Sequence, residues 1–425
     1  MKYKKIRRWV NVKPNEMRSL GWAFLYVFAL FLAYYVLRPI REELGVASGV
    51  DNLPWLFTGT LLAMIALNPL YSYLVKRWSR EQFIKITYRF FMLNLIVFMI
   101  LLMTAKPAQH IWIGRAFFIW ISVFNLFVVS VFWSLVVDIF NAEQGKRVFG
   151  LLAAGATLGG IVGSAATSGL VEILGQNWLL LLAVLLLEVA VQASKILSRL
   201  KSENNTKQED EDNLESPSSV VGGGIFSGLV NTFRSPYLMG IAFFIIFNSI
   251  TATFLYFQQA SIAAENFTDR ESRTAFFANI DLWVNIFTLI FQLFLAGRLI
   301  KRLGVAAVLG SLPFVSILGF IALAIYPSIA MLLVAQISRR VSNFGLSRPT
   351  REILFTSVSR EDRYKAKNFI DTVVYRGGDQ LGSWSYAGLL SSGLGIGGMA
   401  IVAIPISAVW LLLSLWLGKK QAAIH

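Results

Sequence analysis

Residues Ser19–Leu37 read SLGWAFLYVFALFLAYYVL, a run of 19 positions without a charged side chain. At 1.5 Å per residue, an α-helix of this length crosses the roughly 30 Å hydrocarbon core of a bilayer. The bilayer offers no water to backbone groups, so the block is predicted to be a membrane-spanning helix. It ends without a small-residue cleavage site, which favours a span over a cleavable signal peptide.

Similar apolar blocks follow along the 425-residue chain, which is 56% hydrophobic and 15% charged. A soluble domain carries about 25% charged residues. The blocks are too long and too little alternating for the strands of a membrane barrel. The sequence therefore predicts an all-α membrane protein of about twelve transmembrane helices in two pseudo-symmetric six-helix bundles. The predicted spans are 18–38, 54–75, 86–104, 111–135, 148–173, 178–197, 237–258, 273–299, 305–326, 328–347, 367–391 and 397–417.

A polar segment divides the chain almost in half. It contains the acidic run Glu209–Asp212 and the glycines Gly222–Gly224. This charged, Gly/Ser-rich composition predicts a flexible and solvated linker. The predicted domains are an N-terminal six-helix bundle at 1–199, a cytoplasmic linker at 200–224 and a C-terminal six-helix bundle at 225–425.

The net charge of +15 follows from the loops rather than from a nucleic-acid surface. Lysine and arginine concentrate in loops that share one side of a twelve-span topology, and cytoplasmic loops carry such an excess. Both termini are therefore predicted to be cytoplasmic, in a multi-pass protein of a bacterial inner membrane, and no nucleic-acid partner is expected. The residues concerned include Lys76, Arg77, Arg80, Lys85, Lys146, Arg147, Arg298, Lys301, Arg302, Arg360, Arg363, Lys365, Lys367, Lys419 and Lys420.

The two halves share a sequence echo. Gly159 and Gly163 of the fifth span recur 219 positions later as Gly378 and Gly382 of the eleventh. Together with Gly155, the first two lie four residues apart on one helical face, and small residues at that spacing allow close helix packing. A parallel repeat of six spans resembles the major facilitator superfamily, whose members are secondary transporters.

Charged residues within the predicted spans mark candidate substrate contacts. Arg339 and Arg340 lie near the middle of span ten, and Arg376 and Asp379 near the middle of span eleven, three apart and able to pair. Ionisable groups at this depth are costly and usually line a functional cavity. Guanidinium groups bind phosphate and carboxylate in bidentate fashion, so we expect an anionic, phosphorylated substrate.

Further charged residues extend this candidate site. Arg351 and Glu352 lie near the cytoplasmic mouth, and Asp281, Asp371 and Asp379 are candidate proton carriers. In the first half, Arg38, Arg41 and Glu42 close the first span, where the alternative is a solvated collar of charges.

No enzyme is expected. The chain has two histidines and no cysteine, which excludes thiolate sites and disfavours metal clusters and a Ser–His–Asp triad. We expect no cofactor and no metal. The expected partners are the lipid bilayer and an anionic small molecule, and the expected state is a monomer.

Two stretches resemble the ATP/ADP translocases of plastids and intracellular bacteria. One comprises RPTREIL at 348–354, YKAKNFID at 364–371 and VVYRGG at 373–378; the other is LRPIREEL at 37–44. The family carries a Pro-Thr-Lys-Glu segment, then Lys-x-Lys, Ile/Val-Asp and Arg-x-Gly at similar spacing, and a Leu-Arg…Lys-Asp-x-Leu motif in its first span. The chain departs from the family at Arg41 and Arg351, which replace lysines, and at Asp379, which falls within the place of a Gly-Lys-Ser.

The resemblance implies exchange of nucleotides across a membrane. It implies phosphate contacts for Arg41, Lys365 and Arg376, with Glu42 and Glu352 as their charge partners. The predicted function is therefore secondary transport of an anionic metabolite such as ATP or ADP by alternating access. The alternatives are transport of an unrelated drug or sugar, and a non-transporting membrane scaffold or lipid-handling protein.

Overall fold

The computed structural model describes residues 17–78, 80–140, 142–208, 227–358 and 366–424, and the elements assigned within these ranges are helical. In the first half the helices are α1 (Met17–Ala47), α2 (Leu53–Arg77), α3 (Arg80–Thr104), α4 (Pro107–Ile139) and α5 (Ala142–Gln208). In the second half they are α6 (Ser227–Arg234), α7 (Pro236–Asn266), α8 (Arg270–Ile290), α9 (Ala296–Ile325), α10 (Ile329–Ser342), α11 (Arg348–Leu354), α12 (Tyr375–Ser391) and α13 (Ile396–Ile424).

Three π-helical segments join helices of the second half. Phe291–Leu295 connects α8 to α9, Asn343–Ser347 connects α10 to α11, and Ile370–Val374 precedes α12. Each therefore lies inside a longer helical rod rather than in a loop. Such segments are rare and occur frequently at functional sites.

Two apolar stretches are too long for a single crossing. Val148–Leu200 has 53 residues and Arg270–Ile325 has 56, against the roughly 20 that one span needs. Each is broken at a glycine, Gly175 with φ 76° and Gly304 with φ 78°. Positive φ is readily adopted only by glycine, so each break turns one continuous stretch into two spans.

The twelve-span architecture is confirmed on this basis. Eight stretches are long and apolar enough to cross a membrane, and the two broken ones count twice. The rods at 329–354 and 366–391, which carry internal charges, complete the set within the described residues.

The first span extends further than predicted. Helix α1 continues to Ala47, nine residues past Arg38. Glu42 and Glu43 are 4% and 0% exposed, so the alternative of a solvated collar is wrong. The helix continues because these charges are paired and buried rather than hydrated, as described below.

By contacts the chain forms two compact units. The first comprises Met1–Ser48, Gly59–Pro217 and Phe267–Asn285, and the second comprises Gly49–Thr58, Ser218–Asn266 and Ile286–His425. The chain passes between the units several times, and two of these boundaries fall inside helices, one in α2 and one in α8. The predicted domain limits stay a prediction. Of the predicted linker, residues 200–208 continue α5, and 209–224 lie outside the described residues.

In the first unit, α5 packs closely along α1. A Cβ added to Gly159 would lie 2.5 Å from the Phe28 carbonyl oxygen, and one added to Gly163 would lie 2.6 Å from that of Leu32. Gly155 faces the same helix, and a Cβ added to it would lie 2.9 Å from the Phe24 ring. The glycine stripe therefore allows backbone-to-backbone contact between the first and fifth spans.

The second unit repeats this arrangement. A Cβ added to Gly378 would lie 2.8 Å from Ser249 Cβ, and one added to Gly382 would lie 3.0 Å from Ile250 Cα. Both partners are on α7, the first span of the second half. The glycines related by the 219-residue echo thus occupy equivalent positions in the two units.

Candidate functional site

A cluster of cations in the second unit surrounds the ends of α11 and α12. Arg351 Nη2 lies 3.0 Å from Asp371 Oδ1, and Lys367 Nζ lies 2.5 Å from Glu352 Oε2. Arg348 interacts electrostatically with the same Asp371 carboxyl. These contacts tie α11 to the π-helical segment that precedes α12.

Arg376 continues the cluster along α12. Its Nη1 lies 3.2 Å from Asp379 Oδ2, the pairing expected from their spacing. The arginine side chain is 36% exposed and the aspartate 11%. The Tyr375 phenol interacts electrostatically with Asp379 and with Arg348, Arg376 and Arg339.

Arg339 lies deeper, between α10 and α7. It is 2% exposed, and its Nη2 donates to the Asn248 carbonyl at 2.6 Å, to Asn248 Oδ1 at 3.0 Å and to Thr251 Oγ1 at 3.2 Å. Among the described residues no carboxylate lies within 4 Å of it. Its positive charge is thus held by neutral oxygens.

Arg340 is 8% exposed, so neither arginine of this adjacent pair is open to solvent in this conformation. The sequence reasoning expected one of them to face a cavity. Both side chains are buried in the second unit, and the cavity stays a prediction.

We call Arg339, Arg348, Arg351, Lys367 and Arg376 the basic cluster. Its five cations stand against three carboxylates, those of Glu352, Asp371 and Asp379, which leaves a formal charge of +2. Guanidinium groups present several N–H donors in a planar fork that matches phosphate oxygens. The cluster is therefore suited to hold an anion with several oxygens.

The π-helical segments place the cluster. Arg348 directly follows Asn343–Ser347, and Tyr375 and Arg376 directly follow Ile370–Val374. A Cβ added to Gly345 would lie 2.9 Å from Phe291 Cβ, so this glycine lets the first segment pack on Phe291, and Gln292 Nε2 donates to the Phe344 carbonyl at 3.2 Å. The extra residue in each π-turn rotates the side chains that follow it, which sets the direction of Arg348 and Arg376.

A second set of charges lies in the first unit. Arg38 Nη1 donates to Asp281 Oδ1 at 2.9 Å, and its Nε lies 3.8 Å from Glu42 Oε1. Arg41 Nη1 donates to the same Glu42 oxygen at 2.8 Å, and its guanidinium lies 3.9 Å from the centre of the Phe118 ring. Both predicted substrate contacts of the first span are thus occupied by carboxylates.

Glu43 is the most buried member of this set. Its carboxylate accepts from Arg273 Nη2 at 3.0 Å and from Gln176 Nε2 at 3.1 Å, and lies 3.5 Å from Arg270 Nε. We call Arg38, Arg41, Glu42, Glu43, Arg270, Arg273 and Asp281 the α1–α8 ion-pair network. It joins the end of α1 to the start of α8.

The start of α8 is fixed locally. The Ser272 backbone N–H donates to Asp269 Oδ1 at 2.7 Å, which lowers the pKa of the Asp269 carboxyl and caps the helix. From there Arg270, Thr274 and Asp281 recur on one face of α8.

Sequence reasoning missed several of these residues. Arg270, Arg273 and Arg348 were not assigned a role, although the polar stripe on α8 at helical spacing was a signal for part of the network. The pairing itself was not readable, because Arg38 and Asp281 are 243 positions apart. Lys365, the remaining predicted phosphate contact, lies outside the described residues.

Comparison with known proteins matches this architecture to one family. The sequence profile of the Major Facilitator Superfamily matches residues 19–347. Two solved transporters share the fold: a bacterial homologue of the human lysosomal transporter Spinster (15% identity, TM-score 0.60, 96% of this chain and 99% of that one), and a POT family transporter (12% identity, TM-score 0.63, 96% and 97%).

Sequence relatives carry a more specific name. The chain is 22% identical to ADP,ATP carrier protein 1 of Chlamydia trachomatis serovar D, over 94% of this chain and 88% of that protein. It is 20% identical to ADP,ATP carrier protein 1 of Chlamydia pneumoniae, over 96% and 92%.

Proposed function

The chain belongs to the Major Facilitator Superfamily, and from this membership we propose that it moves an anionic, phosphorylated metabolite of the nucleotide class by alternating access. It is a membrane transporter of the major facilitator type. We propose a nucleotide as the substrate, with ATP and ADP as first candidates. We also propose that it is exchanged for a second nucleotide.

The basic cluster is the observation that carries the proposal. A formal charge of +2 within a membrane-spanning unit is costly unless an anion compensates it. Arg376 is 36% exposed, and Arg348 is exposed at the surface beside the Phe344 ring, 4.6 Å from its centre. These two arginines provide accessible donors for phosphate oxygens, and Arg351 and Lys367 stand behind them.

The names of the relatives support the substrate class. Proteins called ADP,ATP carriers align with nearly the whole chain, including the region of the basic cluster. At 20–22% identity the fold is shared, and substrate details are free to differ. The nucleotide is therefore proposed on charge and likeness together.

The test uses purified protein in liposomes loaded with ADP and supplied outside with labelled ATP. We expect uptake that depends on internal nucleotide, and its loss in Arg376→Ala, because the alanine variant lacks one of the two accessible arginines of the cluster. Arg302→Ala, which alters an exposed arginine on α9, is the matched control and keeps uptake.

Two results would decide against the proposal. One is the absence of uptake for ATP, ADP and other phosphorylated metabolites with every internal load. The other is transport that Arg376→Ala leaves unchanged, which favours a drug or sugar as substrate. If a pH gradient drives uptake into liposomes that hold no nucleotide, the mechanism is proton coupling rather than exchange. Asp281, Asp371 and Asp379 are then the candidate proton carriers.

A further inference from the structure

An ion pair lies on the surface of the first unit, outside the α1–α8 ion-pair network. Arg89 Nη2 on α3 lies 3.3 Å from Glu188 Oε1 on α5, and Gln192 Nε2 donates to the same oxygen. The side chains of Arg89 and Glu188 are 58% and 38% exposed. The pair is therefore on the surface of the unit rather than in its core.

The surface around this pair is apolar. On α3, Phe90 and Leu93 are 57% and 60% exposed, and on α5, Leu185 and Val189 are 60% and 42% exposed. Glu188 lies twelve residues before Leu200, where the apolar stretch ends, which is about 18 Å along the helix axis. These side chains face the acyl chains of the bilayer, an environment that rarely accepts charge without compensation.

Additional cations continue from the pair toward one end of both helices. Lys195 and Arg199 follow Gln192 on α5 at spacings of three and four, which places them on one face. On α3, Lys85 lies one turn before Arg89 and pairs with Glu81 at 2.6 Å. The third and sixth spans run in opposite directions, so the start of α3 and the end of α5 reach the same side of the membrane.

The charges on this surface do not balance. Four cations, Lys85, Arg89, Lys195 and Arg199, stand against Glu81 and Glu188, a formal charge of +2. Among the described side chains, no carboxylate lies within 4 Å of Lys195 or Arg199. We call these six residues, with Gln192, the α3/α5 basic surface.

We propose that the α3/α5 basic surface binds the headgroup of an anionic phospholipid. Lys195 and Arg199 hold the phosphate at the membrane boundary, and Arg89, paired with Glu188, lies deeper along the same surface. Basic surfaces between transmembrane helices bind anionic headgroups in this way. Phe90, Leu93 and Val189 lie where the acyl chains would run. Lipid binding at this surface does not depend on which substrate the chain transports.

A second copy of the chain is the competing occupant of this surface. A symmetric pair of copies would bring Lys195 and Arg199 near their own equivalents, which is unfavourable for like charges. The net positive charge therefore favours an anionic lipid over self-association.

The experiment measures lipid retained by the purified chain in detergent by native mass spectrometry. Phosphatidylglycerol and phosphatidylcholine with identical acyl chains are titrated in parallel. We expect phosphatidylglycerol adducts to dominate and the double variant Lys195→Gln, Arg199→Gln to bind this lipid about 30-fold more weakly, since each cation near the surface contributes about a factor of five.

Two further variants keep the test decisive. The charge-conserving Lys195→Arg, Arg199→Lys variant retains binding, which separates loss of charge from loss of fold. Lys419→Gln, Lys420→Gln removes two exposed cations at the end of α13 and leaves binding unchanged. Equal retention of the two lipids, unaltered binding in the neutral variant, or a wild-type dimer that this variant dissociates would each overturn the proposal.

Discussion

Asp379 shares its side of α12 with Arg376, one of the two accessible arginines of the basic cluster. At 3.2 Å from Arg376 it holds the guanidinium in one orientation and also competes with any incoming anion. Because Arg376 is half-exposed, solvent screens the pair, and pairs screened in this way contribute about 0.2–1 kcal/mol. Its carboxylate therefore tunes affinity rather than determining whether an anion binds.

Asp379→Asn is expected to strengthen nucleotide binding about threefold, because the competing charge is removed while the shape is kept. Titration of labelled nucleotide against purified protein measures the change. Glu172→Gln, at an exposed position of α5, serves as the control. Weaker binding in Asp379→Asn would show that the carboxylate positions Arg376 rather than competes with the ligand.

The Arg38–Asp281 pair is predicted to be energetically coupled. Asp281 is 3% exposed and receives Arg38 at 2.9 Å, so removal of either partner leaves a poorly hydrated charge. A double-mutant cycle of Arg38→Gln and Asp281→Asn, followed by thermal unfolding in detergent, should give a coupling of about 1–3 kcal/mol. Additive effects would contradict the pairing.

At the scale of elements, the glycine stripe decides how closely α1 and α5 approach. Gly159→Leu places a side chain against the Phe28 carbonyl oxygen, and overpacking of this kind costs about 1–3 kcal/mol. Gly169→Leu on the same segment of α5 has no atom within 4 Å of the added Cβ and is the matched control. The midpoint of thermal unfolding in detergent should fall for Gly159→Leu alone.

The π-helical segment before α12 is a second element with a testable role. Removing the exposed Val373 should convert Ile370–Val374 into α-helix and turn the residues before it by about 100° relative to Arg376. The deletion therefore changes the direction of the Arg351–Asp371 pair relative to the Arg376–Asp379 pair. We expect a folded protein, by its thermal transition, with little or no uptake in liposomes; unchanged uptake would show that the segment does not position the site.

Hydropathy predicted the spans because each must bury a backbone in lipid, and glycine spacing marked the close packing of α5 on α1. The basic cluster and the α1–α8 ion-pair network could be predicted only in part. A π-turn leaves no compositional mark in Asn343–Ser347, and Arg38 and Asp281 are related only through the folded chain. Arg339 was recognised as a buried charge, but its partners Asn248 and Thr251 are neutral and carry no signal.

At the scale of the whole molecule, the first unit includes a segment from the second half of the sequence. Phe267–Asn285 packs with α1 and α5 through Glu43–Arg273, Arg38–Asp281 and Gln176–Thr274. The first half of the sequence is thus incomplete as a packed unit until α8 joins it.

A chain divided after Pro217 tests this point. Co-expressed fragments 1–217 and 218–425 are expected to co-purify through a tag on one of them, because the second fragment carries Phe267–Asn285. The Arg38→Gln, Glu43→Gln variant should weaken recovery several-fold, and Glu172→Gln should not. Recovery that is equal in all three would show that the α1–α8 ion-pair network does not hold the fragments together.

The separation of Glu43 from Arg273 also has a consequence for synthesis. The two residues are 230 positions apart, and a ribosome adds about 5–20 residues each second. Glu43 and Arg38 therefore enter the membrane roughly 10–50 s before their partners have been translated. During that interval the insertion machinery or a chaperone must shelter the nascent charges, so the speed of translation across the middle of the messenger sets how long the newborn protein is vulnerable to degradation.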